Sequence, residues 1–137
     1  MSHPMAPQFQ EARVAVLNPS HPVMAGLPSD FMALDEWYTF EAAPGDDFIV
    51  LAGLDESTYS PENKVYGDRS DLWMGPTPAD HPIIWARCFG DSQARSVFTA
   101  MGHRYETYET EEALLLLKNM LNWAAKKSDP QSSGCAK

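Results

Sequence analysis

Short apolar runs interrupted by Pro, Gly and Asn set the rhythm of this chain, and a long helical periodicity comes only near its end. "RVAVLN", Arg13 to Asn18, is valine-rich and is stopped by Asn-Pro-Ser, which predicts a strand. "SHPVMAGLP" predicts a single helical turn capped by Ser20. Pro22 is tolerated at its start because its missing N–H would be unpaired there, and Gly26 followed by Pro28 ends it. "ALDEWYTF" reads as extended. "DDFIVLAGLD" is a continuous apolar run bounded by acids, the pattern of a strand buried on both faces.

From Asp55 to Asp80 the chain turns polar and Pro-rich, a connection long enough to suggest a functional loop. Tyr59, Tyr66 and Trp73 within it favour an ordered loop with one helical turn. "HPIIWARCF" and "ARSVFTAM", separated by "GDSQ", predict an antiparallel hairpin. A final helix is expected from an N-cap at Thr110 to Lys126 and Lys127, with Glu111 and Glu112 favourably placed at its positive pole. Its apolar stripe is read as Leu114, Leu117, Leu121 and Ala124, widened by Leu115 and Leu116.

With 137 residues and 44% hydrophobic content, this is one domain, residues 1–127, followed by a polar tail, 128–137, expected to be disordered. A domain of this size buries roughly two-thirds of its unfolded surface, so it folds without a disulfide framework or structural metal. The net charge of −9, from 19 acidic against 10 basic residues, repels phosphate and anionic lipid, so neither nucleic acid nor a membrane is an expected partner. Cys88 in an apolar run and Cys135 in the tail read as thiols rather than a bridge. With no basic and apolar leader at the start, the chain is expected to be cytoplasmic.

The histidines separate by context. His3 lies in the opening segment and is expected in solvent, whereas His21 and His81 each precede a proline and suit turn or capping roles. His103 follows a predicted strand through Gly102, at the kind of strand C-terminus where ligands bind in helix-flanked sheets. Such a ring can exchange protons, bind a metal or pair with a carboxylate. Asp35 and Glu36 are its natural partners. Adjacent side chains of an extended segment point oppositely, so one of the two is expected to share a pocket with His103. No nucleophile elbow, phosphate loop, dinucleotide fingerprint or zinc spacing is present, and the sequence names no cofactor. Cys88 reads as a buried, inert thiol. Trp37, Trp85 and Trp123 read as core or pocket walls, with sugar stacking conceivable at Trp37 or Trp73.

The ordered series His21-Pro22, Gly26-Leu27-Pro28, Asp35-Glu36-Trp37-Tyr38, His81-Pro82, Trp85, Gly90, Arg95, Gly102-His103 and Trp123-Ala124 resembles the ThuA-like, or trehalose-utilisation, family. The likeness runs from about Val14 to Ala125. It implies an α/β domain related to class I glutamine amidotransferases: a truncated flavodoxin-like sheet with flanking helices, ending in a β-hairpin and a final helix. It also implies a pocket with Glu36 and His103 as catalytic groups, and Asp35, Trp37, Tyr38, His81 and Arg95 around the substrate. Family members are usually longer. A sheet without their leading strands would expose an edge and apolar faces, so a homodimer is the expected cover.

Three functions are consistent with this reading. The first is an enzyme acting on trehalose or a keto-sugar, His103 being the general acid/base and Glu36 orienting it. A metal held by His103 and a carboxylate is a weaker variant. The second is a small hydrolase of esters or amides. The third is a non-catalytic oligomeric or ligand-binding remnant of the family.

Overall fold

Alternation in the first two strands decides which side of the sheet becomes core. The structure, a computed structural model, describes residues 3–5, 7–62, 72–90, 94–127 and 134–135. Strand β1 (Gln10–Val16) pairs antiparallel with β2 (Asp30–Asp35), setting Ala12 opposite Ala33 and Val14 opposite Phe31. These four side chains are buried, while Arg13 and its opposite number Met32 are exposed. β1 begins earlier than the valine run suggested, because pairing with β2 recruits Gln10 and Glu11.

β3 (Ile49–Asp55), β4 (Pro82–Phe89) and β5 (Ala94–Thr99) complete one sheet in the order β2-β1-β3-β4-β5. Every pairing among the described residues is antiparallel. The flavodoxin-like arrangement of parallel strands with helices on both faces is therefore not what these residues form. The continuous apolar run of β3 has another cause. Leu51, Ala52 and Leu54 join the core cluster that also holds Leu116, Met120 and Trp123, and the connection ahead of β4 lies so close to the strand that a Cβ on Gly53 would stand 1.7 Å from the Pro78 carbonyl oxygen. The expected hairpin is present as β4–β5, its turn residues 91–93 lying outside the described residues.

The helix α1 (Glu111–Ala124) is capped by Thr110, whose hydroxyl accepts the Ala113 N–H at 3.3 Å. Its buried face is Ala113, Leu116, Met120 and Trp123, while Leu114 and Leu121 are 57% and 63% exposed. The expected stripe is thus rotated by about one residue. Four consecutive leucines fit either register, and Trp123, fully buried, settles it: burying so large a ring outweighs exposing a leucine.

The turn after β1 is a 3-10 turn, Pro22–Met24, capped by His21 rather than Ser20. His21 Nδ1 accepts the Val23 N–H at 3.2 Å and its Nε2–H donates to the Gly134 carbonyl at 3.0 Å. Cys88 and Cys135 form a disulfide, so the expected pair of thiols is corrected and the cysteines give no argument for a reducing compartment. Of the tail expected to be disordered, Gly134 and Cys135 are thereby tied to the domain, and residues 128–133 lie outside the described residues. Among the described residues no helix is long and apolar enough to cross a membrane.

Candidate functional site

Where β2 ends, two adjacent carboxylates reach one histidine from two sides. Asp35 is fully buried and takes four donors: Oδ1 accepts the N–H groups of Glu36 (2.8 Å) and His103 (3.2 Å), and Oδ2 accepts the Gly102 N–H (2.6 Å) and the Thr107 hydroxyl (3.1 Å). Asp35 therefore holds the backbone of the Gly102-His103 corner. Gly102 has φ +108°, and a Cβ there would meet the Tyr108 hydroxyl at 2.5 Å, so only glycine makes this corner.

Glu36 holds the ring of the same histidine. It is 1% exposed, and each of its oxygens takes one hydrogen bond and lies against one histidine ring nitrogen. Oε2 lies 2.6 Å from His103 Nδ1, an ion-pair contact, and accepts the Tyr38 hydroxyl at 3.0 Å; that hydroxyl is in turn 3.3 Å from His103 Nδ1. Oε1 lies 2.6 Å from His3 Nδ1, an ion-pair contact, and accepts the Gln8 amide at 3.0 Å. Partial burial, with the Glu36 carboxylate against its hydroxyl, pushes the Tyr38 phenol up, so it stays a donor. His103 is held at Nδ1, and its Nε2 has no hydrogen-bond partner among the described residues. Its side chain is 39% exposed and lines a cleft of about 280 Å³ between Tyr38 and Phe40 on one side and Phe98 to Gly102 on the other. A carboxylate on Nδ1 sets the tautomer and leaves the Nε2 lone pair for a proton from the cleft.

A second buried pair stands behind Tyr38. His81 Nδ1 lies 2.7 Å from Glu56 Oε1 and its Nε2 lies 2.9 Å from the Tyr38 carbonyl. Both ring nitrogens thus face oxygen atoms, which fixes the orientation of the imidazole. Glu56 also accepts the Met74 and Gly75 N–H groups, which ties the 72–75 segment to the end of β3. Burial, and then the neighbouring Glu56, pushes the Tyr59 phenol up.

The structure thus brings together His103, Glu36 and Tyr38 from the expected set, with Asp35 beneath them. Trp37 is 1% exposed and donates from Nε1 to the Gln10 carbonyl, so it belongs to the core and not to a substrate surface. His81 is fully buried and holds Tyr38 from behind. Arg95 lies on the α1 side of the sheet, its guanidinium over Trp123 and donating to the Trp123 carbonyl at 3.0 Å, away from the cleft. His3, expected in solvent, is instead a partner of Glu36. Nothing in the local pattern of the opening segment marks His3 or Gln8, because they reach Glu36 only through the fold. Among the described residues no group of three or more His, Cys, Asp or Glu side chains is arranged to hold a metal ion.

Comparison with known proteins gives a consistent picture. The profile of the ThuA family, described as trehalose utilisation, matches residues 1–124. A crystal structure of a ThuA-like protein from Bacteroides uniformis superposes with a TM-score of 0.63 at 27% identity, covering 92% of this chain and 47% of that one. A second, of a ThuA-like protein from Parabacteroides merdae, gives 0.58 at 24% identity, covering 95% and 42%, a likeness of fold. This chain spans less than half the length of both structures. No curated protein matches it.

Proposed function

The chain belongs to the ThuA, or trehalose-utilisation, family, and on that premise we propose that it acts on a carbohydrate, trehalose or a keto-sugar, with His103 as general acid/base and Glu36 as the group that orients it. The observation that carries this reading is a carboxylate 1% exposed and 2.6 Å from Nδ1 of a half-exposed histidine. When Nε2 takes a proton from a sugar hydroxyl or an activated water, the imidazolium forms against a negative charge already in place. When it returns the proton, Nδ1 stays against Glu36 and the Tyr38 hydroxyl and the ring does not turn. General acid/base groups of this kind contribute about 10²–10⁴ in rate.

Turnover of trehalose and keto-sugar substrates by the wild type, His103→Ala and Glu36→Gln tests the proposal. A loss of about 10²-fold or more in His103→Ala is expected, with a smaller loss in Glu36→Gln, which still offers Nδ1–H an acceptor but no charge. Unchanged turnover in His103→Ala would overturn it. We propose in addition that two copies associate through the exposed side of β2, an edge strand where Met32 and Leu34 are 46% and 54% exposed. A monomer by light scattering at micromolar concentration would refute that.

A further inference from the structure

The wall of the cleft opposite Tyr38 is aromatic, and nothing in the acid/base reading uses it. Trp85 and Phe98 are cross-strand partners on β4 and β5, their rings stacked with centroids 4.3 Å apart at 20°. Phe40 packs edge-on against Trp85 at 5.6 Å and 78°. Phe98 is therefore held in one orientation from behind, yet is 41% exposed along the same cleft that His103 lines. A ring fixed in this way binds without losing rotamer freedom.

Resting on the functional reading above, we propose that Phe98, backed by Trp85 and flanked by Phe40, is a stacking platform for a neutral, unphosphorylated pyranose ring, whose far hydroxyls are directed to His103 Nε2. The chemistry of the cleft selects that ligand class. A pyranose presents a face of C–H bonds, polarised positive, to the negative face of an aromatic ring, and its hydroxyls need polar partners at the rim. Phe98 supplies the first, and Tyr38, Thr99 and His103 supply the second. Among the described residues no Lys or Arg lines the cleft, Glu36 is buried directly behind His103, and the whole chain carries −9, so a phosphate or carboxylate on the sugar is repelled. The volume of about 280 Å³ lies just below the range of roughly 300–1,000 Å³ for drug-sized ligands, room for one substituted ring. This platform replaces Trp37 as the stacking surface.

Saturation-transfer NMR and titration of the full chain with methyl α-glucopyranoside, trehalose and trehalose 6-phosphate test this on wild type, Phe98→Ala, Phe98→Tyr and His103→Gln. The neutral sugars should bind the wild type with the strongest transfer at ring C–H protons, and the phosphate ester more weakly. Phe98→Ala should weaken binding about tenfold, while Phe98→Tyr, which keeps the ring, stays within about twofold of wild type and serves as the folding control. Binding of neutral sugar to Phe98→Ala as tight as to wild type, no binding to wild type, or preference for the phosphate ester would each overturn the platform. Loss of binding in Phe98→Ala beside undiminished turnover in His103→Gln would leave the platform standing and remove the acid/base reading. The reverse pattern would keep the dyad and remove the platform.

Discussion

Replacing Asp35 by Asn removes one charge and almost no volume, and it tests the corner that carries His103. In the wild type each carboxylate oxygen accepts two hydrogen bonds: Glu36 N and His103 N on Oδ1, Gly102 N and Thr107 Oγ1 on Oδ2. An Asn amide has one acceptor oxygen, so one pair of donors must face an NH₂ group. The less costly orientation puts the NH₂ toward Oδ2's place, because the Thr107 hydroxyl can turn to accept while the Gly102 N–H cannot. One charge-assisted bond is then lost, worth about 1.5–3 kcal/mol, and the two bonds that remain weaken by several tenths each as the acceptor loses its charge. The sum is about 3 kcal/mol, a large share of the roughly 5–15 kcal/mol that holds a domain of this kind. With a urea m-value of about 1–3 kcal/mol/M, the midpoint of a urea melt should fall by about 1–3 M. A shift below about 0.3 M would show that Asp35 does not hold the corner through its charge.

Three further outcomes follow from the packing. Gly53→Ala places a Cβ 1.7 Å from the Pro78 carbonyl oxygen, a backbone atom, so a loss of about 1–3 kcal/mol or more is expected in urea melts; no loss would mean that the connection before β4 does not lie on β3. Leu116→Ala should cost about 2–5 kcal/mol and Leu114→Ala less than about 0.5 kcal/mol, since the first is 1% and the second 57% exposed; the opposite ranking would refute the assigned face of α1. Burial lowers the His21 pKa below its ordinary value of 6.5 while the unfolded chain keeps that value, so below about pH 6.5 the unfolded state binds the proton first and stability falls with falling pH. His21→Gln should make thermal melts flatter than those of the wild type between pH 5 and 8, and an unchanged pH profile would contradict this.

The helix and the hairpin were legible because local signals sufficed: an N-cap at Thr110 and β-branched runs around a Gly-Asp turn state their own conformation. The site was half legible. Gly102-His103 stands out as a corner, and adjacent acids in an extended segment are candidates to meet it. His3, Gln8 and Glu56 do not stand out, since no periodicity links residue 3 or 8 to residue 36, or residue 56 to residue 81.

The sequence by itself determined roughly where most of the strands and the helix form, that the chain is acidic, and that His103 follows a strand end with Asp35 and Glu36 as candidates to meet it. Only the tertiary structure decided how those elements meet. β3 reads as a strand buried on both faces, and it is one, yet its neighbours run antiparallel and its second face is covered by a loop, because an apolar run records burial but not what does the burying. Four leucines in a row permit two helix faces, and the fit of Trp123 against the sheet chooses one. Asp35 and Glu36 are equivalent acids in the sequence. The fold gives one the backbone and the other the ring of His103, because donors brought from residues 3 to 107 converge on them from opposite sides of an extended chain.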